Sequence, residues 1–203
     1  CTIERNIGIV EVPDGRMQAL AAAVKPQRLQ YATTEFVDIA GLVAGASKGE
    51  GLGNQFLATI RETDGIVNVV RCFEDDNVVH VAGKVDPISD IATIVTELAL
   101  ADLTTVEKAQ ERNVKLVRSG DKDAAKLGEL LVQVAACLNE GKPARTLKLD
   151  PAQRALLKPL CLLTMKPVMY VANVAEKGFA NNPLLTRVEE YAAHEGAPVV
   201  AIC

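Results

Sequence analysis

Residues 35–41 read Glu-Phe-Val-Asp-Ile-Ala-Gly, and this stretch is the strongest indication of the fold. Glu35–Ile39 is strand-like, Asp38 lies at its carboxyl end, and Gly41 follows three residues later. In P-loop nucleoside triphosphatases an aspartate in this place reaches the water shell of Mg²⁺, and the glycine lets a backbone N–H approach the γ-phosphate. By itself the pattern Asp-x-x-Gly is also what an ordinary strand-to-turn junction contains.

Glycine is concentrated in the sequence that follows this strand. Five of the 14 glycines fall within residues 41–53, with Lys48 and Glu50 among them, and a helix is predicted over about 52–63. A glycine-rich loop between a strand and a helix is typical of segments that become ordered around a ligand. The alternative is a surface loop that binds nothing.

A second motif, Asn173-Val174-Ala175-Glu176, follows the predicted strand Lys166–Asn173. GTPases carry Asn-Lys-x-Asp in this place, where the aspartate accepts hydrogen bonds from two N–H groups of guanine. Here Glu176 is one methylene longer than that aspartate, and Val174 replaces the lysine. The motif therefore predicts weakened or lost guanine specificity. A solvated turn is the alternative interpretation.

The order of the predicted elements indicates an α/β fold. Strand-like segments alternate with helical ones, which favours a mostly parallel sheet covered by helices. The strand-like segments are Ile7–Val12, Glu35–Ile39, Ile66–Arg71, Lys166–Asn173 and Pro198–Cys203. The composition of Ile66–Arg71 is typical of a strand buried on both faces.

Residues 90–140 interrupt this alternation, because they contain no strand-like segment. Their apolar residues recur at helical spacing on both sides of Ser119-Gly120-Asp121. Asp121 can cap the second helix, and Gly141 with Pro143 can end it. The sequence predicts two long helices that form an antiparallel hairpin inserted between two strands of the sheet.

Composition excludes several classes of protein. The 203 residues are 49% hydrophobic and 24% charged, with a net charge of −4, which is ordinary globular chemistry and gives no support for a dedicated DNA-binding face. No apolar run is long enough to cross a membrane. Five scattered cysteines without a Cys-x-x-Cys pair argue against disulfides and structural zinc, and favour buried reduced thiols. Two histidines, His80 and His194, leave little material for a catalytic triad.

Together the motifs resemble the YchF/Obg-like ATPase family over nearly the whole chain. The segments that carry this resemblance are residues 1–6, Phe36–Leu57, Ile60–Thr63, Val70–Phe73, Thr96–Leu103 and Asn173–Glu176. The resemblance implies a Ras-like P-loop NTPase (G) domain with a mostly parallel sheet and an inserted antiparallel helical hairpin. The expected division is a first part of the G domain over 1–87, the helical arm over 88–160, and a second part over 161–203.

The resemblance also implies roles for individual residues. Thr2 and Asp38 would hold Mg²⁺, and Gly41 would face the γ-phosphate. Asn173, Val174 and Glu176 would lie at the base, with Val174 contacting adenine. Leu42 stands where Ras-type enzymes place a water-orienting glutamine, so no catalytic group is assigned and hydrolysis is expected not to depend on the side chain of residue 42. The family is expected to prefer ATP over GTP, to use Mg²⁺ with ATP, to associate with the ribosome or its RNA, and to be cytoplasmic, with no membrane association.

Some family features do not occur in residues 1–203. The family motif G-x-x-x-x-G-K-[ST] is absent, the chain begins with Cys1 and not Met, and no signal peptide or TGS domain is recognisable. Arg5 and Ala44 replace a usual proline and a usual lysine. We therefore expect a processed or truncated chain that binds Mg-ATP poorly, exposes apolar surface and has marginal stability.

A function without nucleotide is the alternative. Basic residues are frequent in the predicted arm, where they either contact RNA or form a solvated helix surface. They are Lys108, Arg112, Lys115, Arg118, Lys122 and Lys126. In this alternative the arm is a module that binds RNA or the ribosome.

Overall fold

The structure is a computed structural model that describes residues 6–39, 52–75 and 85–203, with residues 52–55 and 122 described by their backbone alone. The predictions for Thr2, Arg5, Gly41, Leu42, Ala44 and His80 lie outside the described residues. The chain divides into two compact units, Cys1–Gly41 and Leu42–Cys203.

The first unit contains strand β1 (Asn6–Glu11), helix α1 (Gly15–Val24) and strand β2 (Thr33–Asp38). The two strands pair in antiparallel register, with Asn6 opposite Asp38 and Glu11 opposite Thr33. Asp14 caps α1 by accepting a hydrogen bond from the Arg16 N–H at 3.0 Å. Both predicted strands are confirmed, and their observed ends differ from the predicted ones by at most two residues.

The second unit contains a three-stranded parallel sheet. Strand β4 (Val168–Asn173) lies in the middle, between β3 (Ile66–Arg71) and β5 (Val199–Ile202). Ile66 pairs with Val168 and Tyr170 pairs with Val199. The predicted parallel sheet is thus confirmed for these three strands, whereas β1 and β2 form an antiparallel pair.

Helices cover one face of the parallel sheet. Val70, Tyr170 and Ala172 on that face form a buried cluster with residues of helix α3 (Pro87–Arg118) and helix α6 (Pro183–Glu195). On the other face Val69 is 61% exposed and Val200 is 44% exposed. The prediction that Ile66–Arg71 is buried on both faces is therefore wrong. A β-branched composition signals strand formation, and it does not say how many faces find a cover.

The predicted helical hairpin is present as α3 and helix α4 (Lys122–Asn139). Asp121 caps α4 as predicted, accepting from the N–H groups of Asp123 and Ala124 at 2.9 and 3.0 Å. The two helices share a second buried cluster that includes Val106, Leu131 and Val134. Because the first turns of α3 pack on the sheet and its later turns pack on α4, this one helix joins both clusters.

Short helices connect α4 with β4, and the sequence patterns did not predict them. Helix α5 (Pro151–Leu157) follows a capping box between Asp150 and Gln153. Single turns of 3-10 helix occupy Ala144–Thr146, Lys158–Leu160 and Leu163–Met165. Helix α2 (Leu52–Glu62) precedes β3, close to its predicted place. None of the described helices is long and apolar enough to cross a membrane.

Candidate functional site

The candidate base-recognition motif, Asn173–Glu176, lies at the carboxyl ends of the strands of the parallel sheet. The register places Asn173 of β4 beside Arg71 of β3 and Ile202 of β5. Asn173 is partly buried, and its carbonyl accepts a hydrogen bond from the Cys72 N–H at 2.7 Å. Ligands of α/β proteins bind in the crevice outside the carboxyl ends of parallel strands, so this is the edge at which a ligand is expected.

The residues of this motif divide between the interior and the surface. Glu176 is exposed, so its carboxylate is available to a ligand. Val174 is 2% exposed and belongs to the buried cluster of the sheet, and its N–H donates to the Ile202 carbonyl at 2.8 Å. The Val174 side chain therefore faces the core, whereas Glu176 is exposed to solvent at this edge of the sheet.

A partly buried cluster of polar side chains anchors β4 to α6. Glu195 of α6 accepts hydrogen bonds from Arg145 Nη2 at 2.7 Å, Tyr170 Oη at 3.0 Å and Tyr191 Oη at 3.1 Å. The two tyrosine rings meet edge to face, with centroids 5.8 Å apart. Burial, together with the nearby Glu195 charge, raises the pKa of Tyr191 to about 12 and also raises that of Tyr170. Both hydroxyls therefore remain donors at neutral pH and fix the strand against α6.

A buried acid fixes the segment that leads into β4. Asp102 of α3 is fully buried and accepts hydrogen bonds from the Leu163 N–H, the Thr164 N–H and the Thr164 hydroxyl at 2.7–2.8 Å. Burial raises the pKa of Asp102, although these hydrogen bonds act in the opposite direction. The sequence patterns missed Asp102, Arg145 and Glu195, because most of their partners are distant in sequence.

Asp38 is the one predicted metal-side residue that the structure describes. It is the last residue of β2, it is exposed, and it belongs to the first unit. Thr2, Gly41 and Leu42 fall outside the described residues, so the grouping predicted for them stays a prediction. Within residues 6–39, 52–75 and 85–203 there is no set of three His, Cys, Asp or Glu residues that could hold a metal ion.

A single carboxylate still fits the requirements of Mg²⁺. Proteins hold this ion through one or two carboxylates, and substrate phosphates and water complete its octahedron. The exposed Asp38 at a strand end would supply one such oxygen ligand. The donor chemistry therefore agrees with a metal site that a nucleotide would complete.

A separate cavity of about 490 Å³ occurs in the second unit. It is lined by α5, by the segment from Cys161 to Pro167 and by Asp64. None of the predicted site residues lines it, so it is distinct from the carboxyl edge of the sheet.

Comparison with known proteins agrees with the fold and with the motifs. A family model described as "50S ribosome-binding GTPase" matches residues 1–117 of the chain. A protein named ribosome-binding ATPase YchF from Haemophilus influenzae is 56% identical over all 203 residues, and one from Bacillus subtilis is 51% identical. The chain spans 56% of the length of each of these relatives.

A solved structure shows the same architecture. The YchF GTPase of Schizosaccharomyces pombe superimposes with a TM-score of 0.81 at 34% identity, over 99% of this chain and 56% of that one. The P-loop GTPase fold with its inserted helical hairpin, predicted from the motifs, is thereby confirmed. With the family model matching more than half of its residues, the chain belongs to the 50S ribosome-binding GTPase family and, within it, to the YchF group.

Proposed function

We propose that residues 1–203 carry the switch and base-recognition segments of a cytoplasmic protein that hydrolyses ATP and binds the ribosome. The observation that carries this proposal is the position of Asn173–Glu176 at the carboxyl edge of a parallel sheet. The 56% identity to a relative named ribosome-binding ATPase, over the entire chain, supports the same function.

The base would be recognised by Asn173 and Glu176, with residue 174 contributing through its backbone. The buried Val174 leaves no lysine stem to lie along a purine, and Glu176 is longer than the aspartate that reads guanine. Adenine presents no pair of N–H donors that would require such an acid. A preference for ATP over GTP follows from these two differences.

The phosphate side would be formed by Thr2, Asp38 and Gly41. Asp38 and Thr2 would hold Mg²⁺, which when bound neutralises charge on the phosphate oxygens, and the Gly41 N–H would face the γ-phosphate. Leu42 has no group that can orient a water molecule. Hydrolysis is therefore expected to use a group other than the side chain of residue 42.

The ribosome would be contacted through the helical arm, which we assign to residues 88–160 between the two parts of the G domain. Four basic residues near the tip of the arm are exposed: Arg112, Lys115, Arg118 and Lys126. The Lys126 Nζ atom lies 3.6 Å from Asp123 Oδ1, and such a surface ion pair contributes little to stability. The exposed Glu111, Asp121 and Asp123 partly offset these charges. The positive charge that remains favours contact with a polyanion such as ribosomal RNA.

Competitive titration of ATP against GTP in the presence of Mg²⁺ tests the proposal. Residues 1–203 alone should bind Mg-ATP more weakly than the low micromolar range, about −8 kcal/mol, because they contain no G-K-[ST] motif. The same residues preceded by the G-x-x-x-x-G-K-[ST] segment of a relative should bind and hydrolyse ATP in preference to GTP. Glu176→Asp should shift that preference towards GTP. Equal or tighter binding of GTP by the extended protein would contradict the proposal.

A further inference from the structure

The segment after Glu176 makes a turn that has little room for a side chain. The Gly178 N–H donates to the Ala175 carbonyl at 2.7 Å. A Cβ atom on Gly178 would lie 3.0 Å from the Ala175 oxygen, 3.1 Å from the Ala175 nitrogen and 3.2 Å from Val174 Cβ. Two of these atoms belong to the backbone of the candidate base-recognition motif, so a side chain at residue 178 would displace the motif itself.

Asn182 ties this turn to the neighbouring strand. Its Nδ2 donates to the Gly178 carbonyl at 3.0 Å and to the Cys72 carbonyl at 2.9 Å. Its Oδ1 accepts from the N–H groups of Leu184 and Leu185 at 3.0 and 3.2 Å, which caps α6. One partly buried amide therefore makes four hydrogen bonds to the backbone of three segments.

The end of β3 holds the motif from both sides. The Cys72 N–H donates to the Asn173 carbonyl, which begins the motif, and the Cys72 carbonyl accepts from Asn182, which follows it. Cys72 itself is 1% exposed and packs in the cluster of the sheet. The loop from Asn173 to Asn182 is thus closed onto the buried core of the sheet.

We propose that Asn182 and Gly178 are positioning residues that set the orientation of Asn173 and Glu176 towards the base and thereby raise the affinity for the nucleotide. The inference rests on the proposed function, since it concerns the base side of the same site. A site that is held in its binding geometry does not have to be ordered when the ligand binds, and affinity rises accordingly.

Asn182→Asp separates positioning from helix capping. An aspartate keeps the oxygen that caps α6, but at neutral pH it cannot donate to the carbonyls of Cys72 and Gly178. Asn182→Ser is a second variant that caps the helix and is too short to bridge both carbonyls. Asp121→Asn is the matched control, because it makes the reverse exchange at the N-cap of α4, whose two capping bonds resemble those of Asn182.

Gly178→Ala tests the same loop by adding a side chain, whereas the Asn182 variants remove hydrogen bonds. Its methyl group must push the Ala175 backbone away, as the distances above require. Gly8→Ala is its control, because a Cβ atom on Gly8 meets nothing within 4 Å. Both controls should leave nucleotide binding unchanged.

The readouts are amide hydrogen exchange of residues 174–178 and competition binding of ATP, GTP and inorganic tripolyphosphate to the protein preceded by the G-x-x-x-x-G-K-[ST] segment. In Asn182→Asp, Asn182→Ser and Gly178→Ala, ATP affinity should fall by on the order of tenfold while tripolyphosphate affinity holds, and residues 174–178 should exchange faster. Leu184 and Leu185 should remain protected in the Asn182 variants. A purely structural role would instead weaken all three ligands alike.

Three results would overturn the inference: unchanged ATP affinity in the loop variants, an equal loss for tripolyphosphate, or unchanged exchange of residues 174–178. Failure of the proposed function is distinguishable, because the extended wild-type protein would then bind neither ATP nor GTP. In that case the role of Asn182 and Gly178 in nucleotide binding is overturned with it, whatever the exchange rates show.

Discussion

The first unit and the sheet of the second unit are built from similar sequence but differ in what covers them. No described residue of β1, α1 or β2 is buried, and Ile9, Leu20 and Val24 are 65%, 59% and 73% exposed. In the second unit Ile91, Tyr170 and Val188 are completely buried. An apolar pattern is therefore sufficient to form strands and helices, whereas a core also requires elements that pack on them.

This difference in burial also predicts a difference in stability between the two units. A two-stranded hairpin without a buried face is marginal in water, because its hydrogen bonds are exchanged against those of water. The β3–β4–β5 sheet buries side chains such as Tyr170 and Val70, and fully burying a large apolar side chain stabilises by about 1.5–3 kcal/mol. Stability is thus expected to be concentrated in residues 66–202.

Hydrogen exchange should show the largest difference between the two units. The Val12 N–H donates to the Ala32 carbonyl at 2.8 Å, and the Tyr170 N–H donates to the Pro198 carbonyl at 2.9 Å, so the two bonds are matched in length. We expect the Tyr170 amide to exchange at least about a thousandfold more slowly than the Val12 amide, because breaking the Tyr170 hydrogen bond requires unfolding of the core. Mass spectrometry or NMR of the exchanging protein measures this, and comparable rates would mean that the first unit is equally protected.

Val174→Lys tests where the packed region ends. The residue is 2% exposed, so a lysine would bury a charge in the cluster of Val70 and Ala172, at an expected cost of about 4 kcal/mol in the free energy of unfolding. Ala175→Lys is the control, because Ala175 is exposed and should change stability by less than about 0.5 kcal/mol. Urea unfolding of both variants gives the comparison. If Val174→Lys were as stable as the wild type, the side chain would have to face solvent.

Truncation of matched isoleucines measures the core directly. Ile91→Ala removes a fully buried side chain and should cost about 3 kcal/mol, because transfer and cavity terms add. Ile9→Ala removes one that is 65% exposed and should cost less than about 1 kcal/mol. Denaturant unfolding measures both losses, and similar losses would show that β1 is covered in solution.

Thiol labelling should map the edge of the core within the second unit. Cys72 and Cys137 are buried, which confirms the expectation of buried thiols, whereas Cys161 and Cys203 are exposed, so that it is wrong for these two. Cys1 lies outside the described residues. Burial raises the pKa of Cys72 to about 11, which leaves little thiolate at neutral pH. Cys161 and Cys203 should react about a hundredfold faster with a maleimide, and peptide mass spectrometry after timed quenching checks this. Fast reaction at Cys72 would mean that the sheet cluster opens readily.

Local patterns determined most of the fold from the sequence. Strand composition located the strands, helical spacing located the arm, and Asp121 marked a helix start that the structure confirms. These signals could be predicted because each depends on residues within a few positions of one another. The motif residues Asp38 and Asn173 were likewise placed correctly at strand ends, since a strand end is a local property.

Tertiary structure alone decided burial and the support of the site. Sequence does not reveal that helices cover one face of the β3–β4–β5 sheet, that Val174 points into the core, or that Asp102 meets Thr164 across 62 residues. The same holds for Asn182, whose amide reaches Cys72 over 110 residues. Each of these contacts joins segments distant along the chain, and no pattern of neighbouring residues records which distant group will fill a given space or satisfy a given donor.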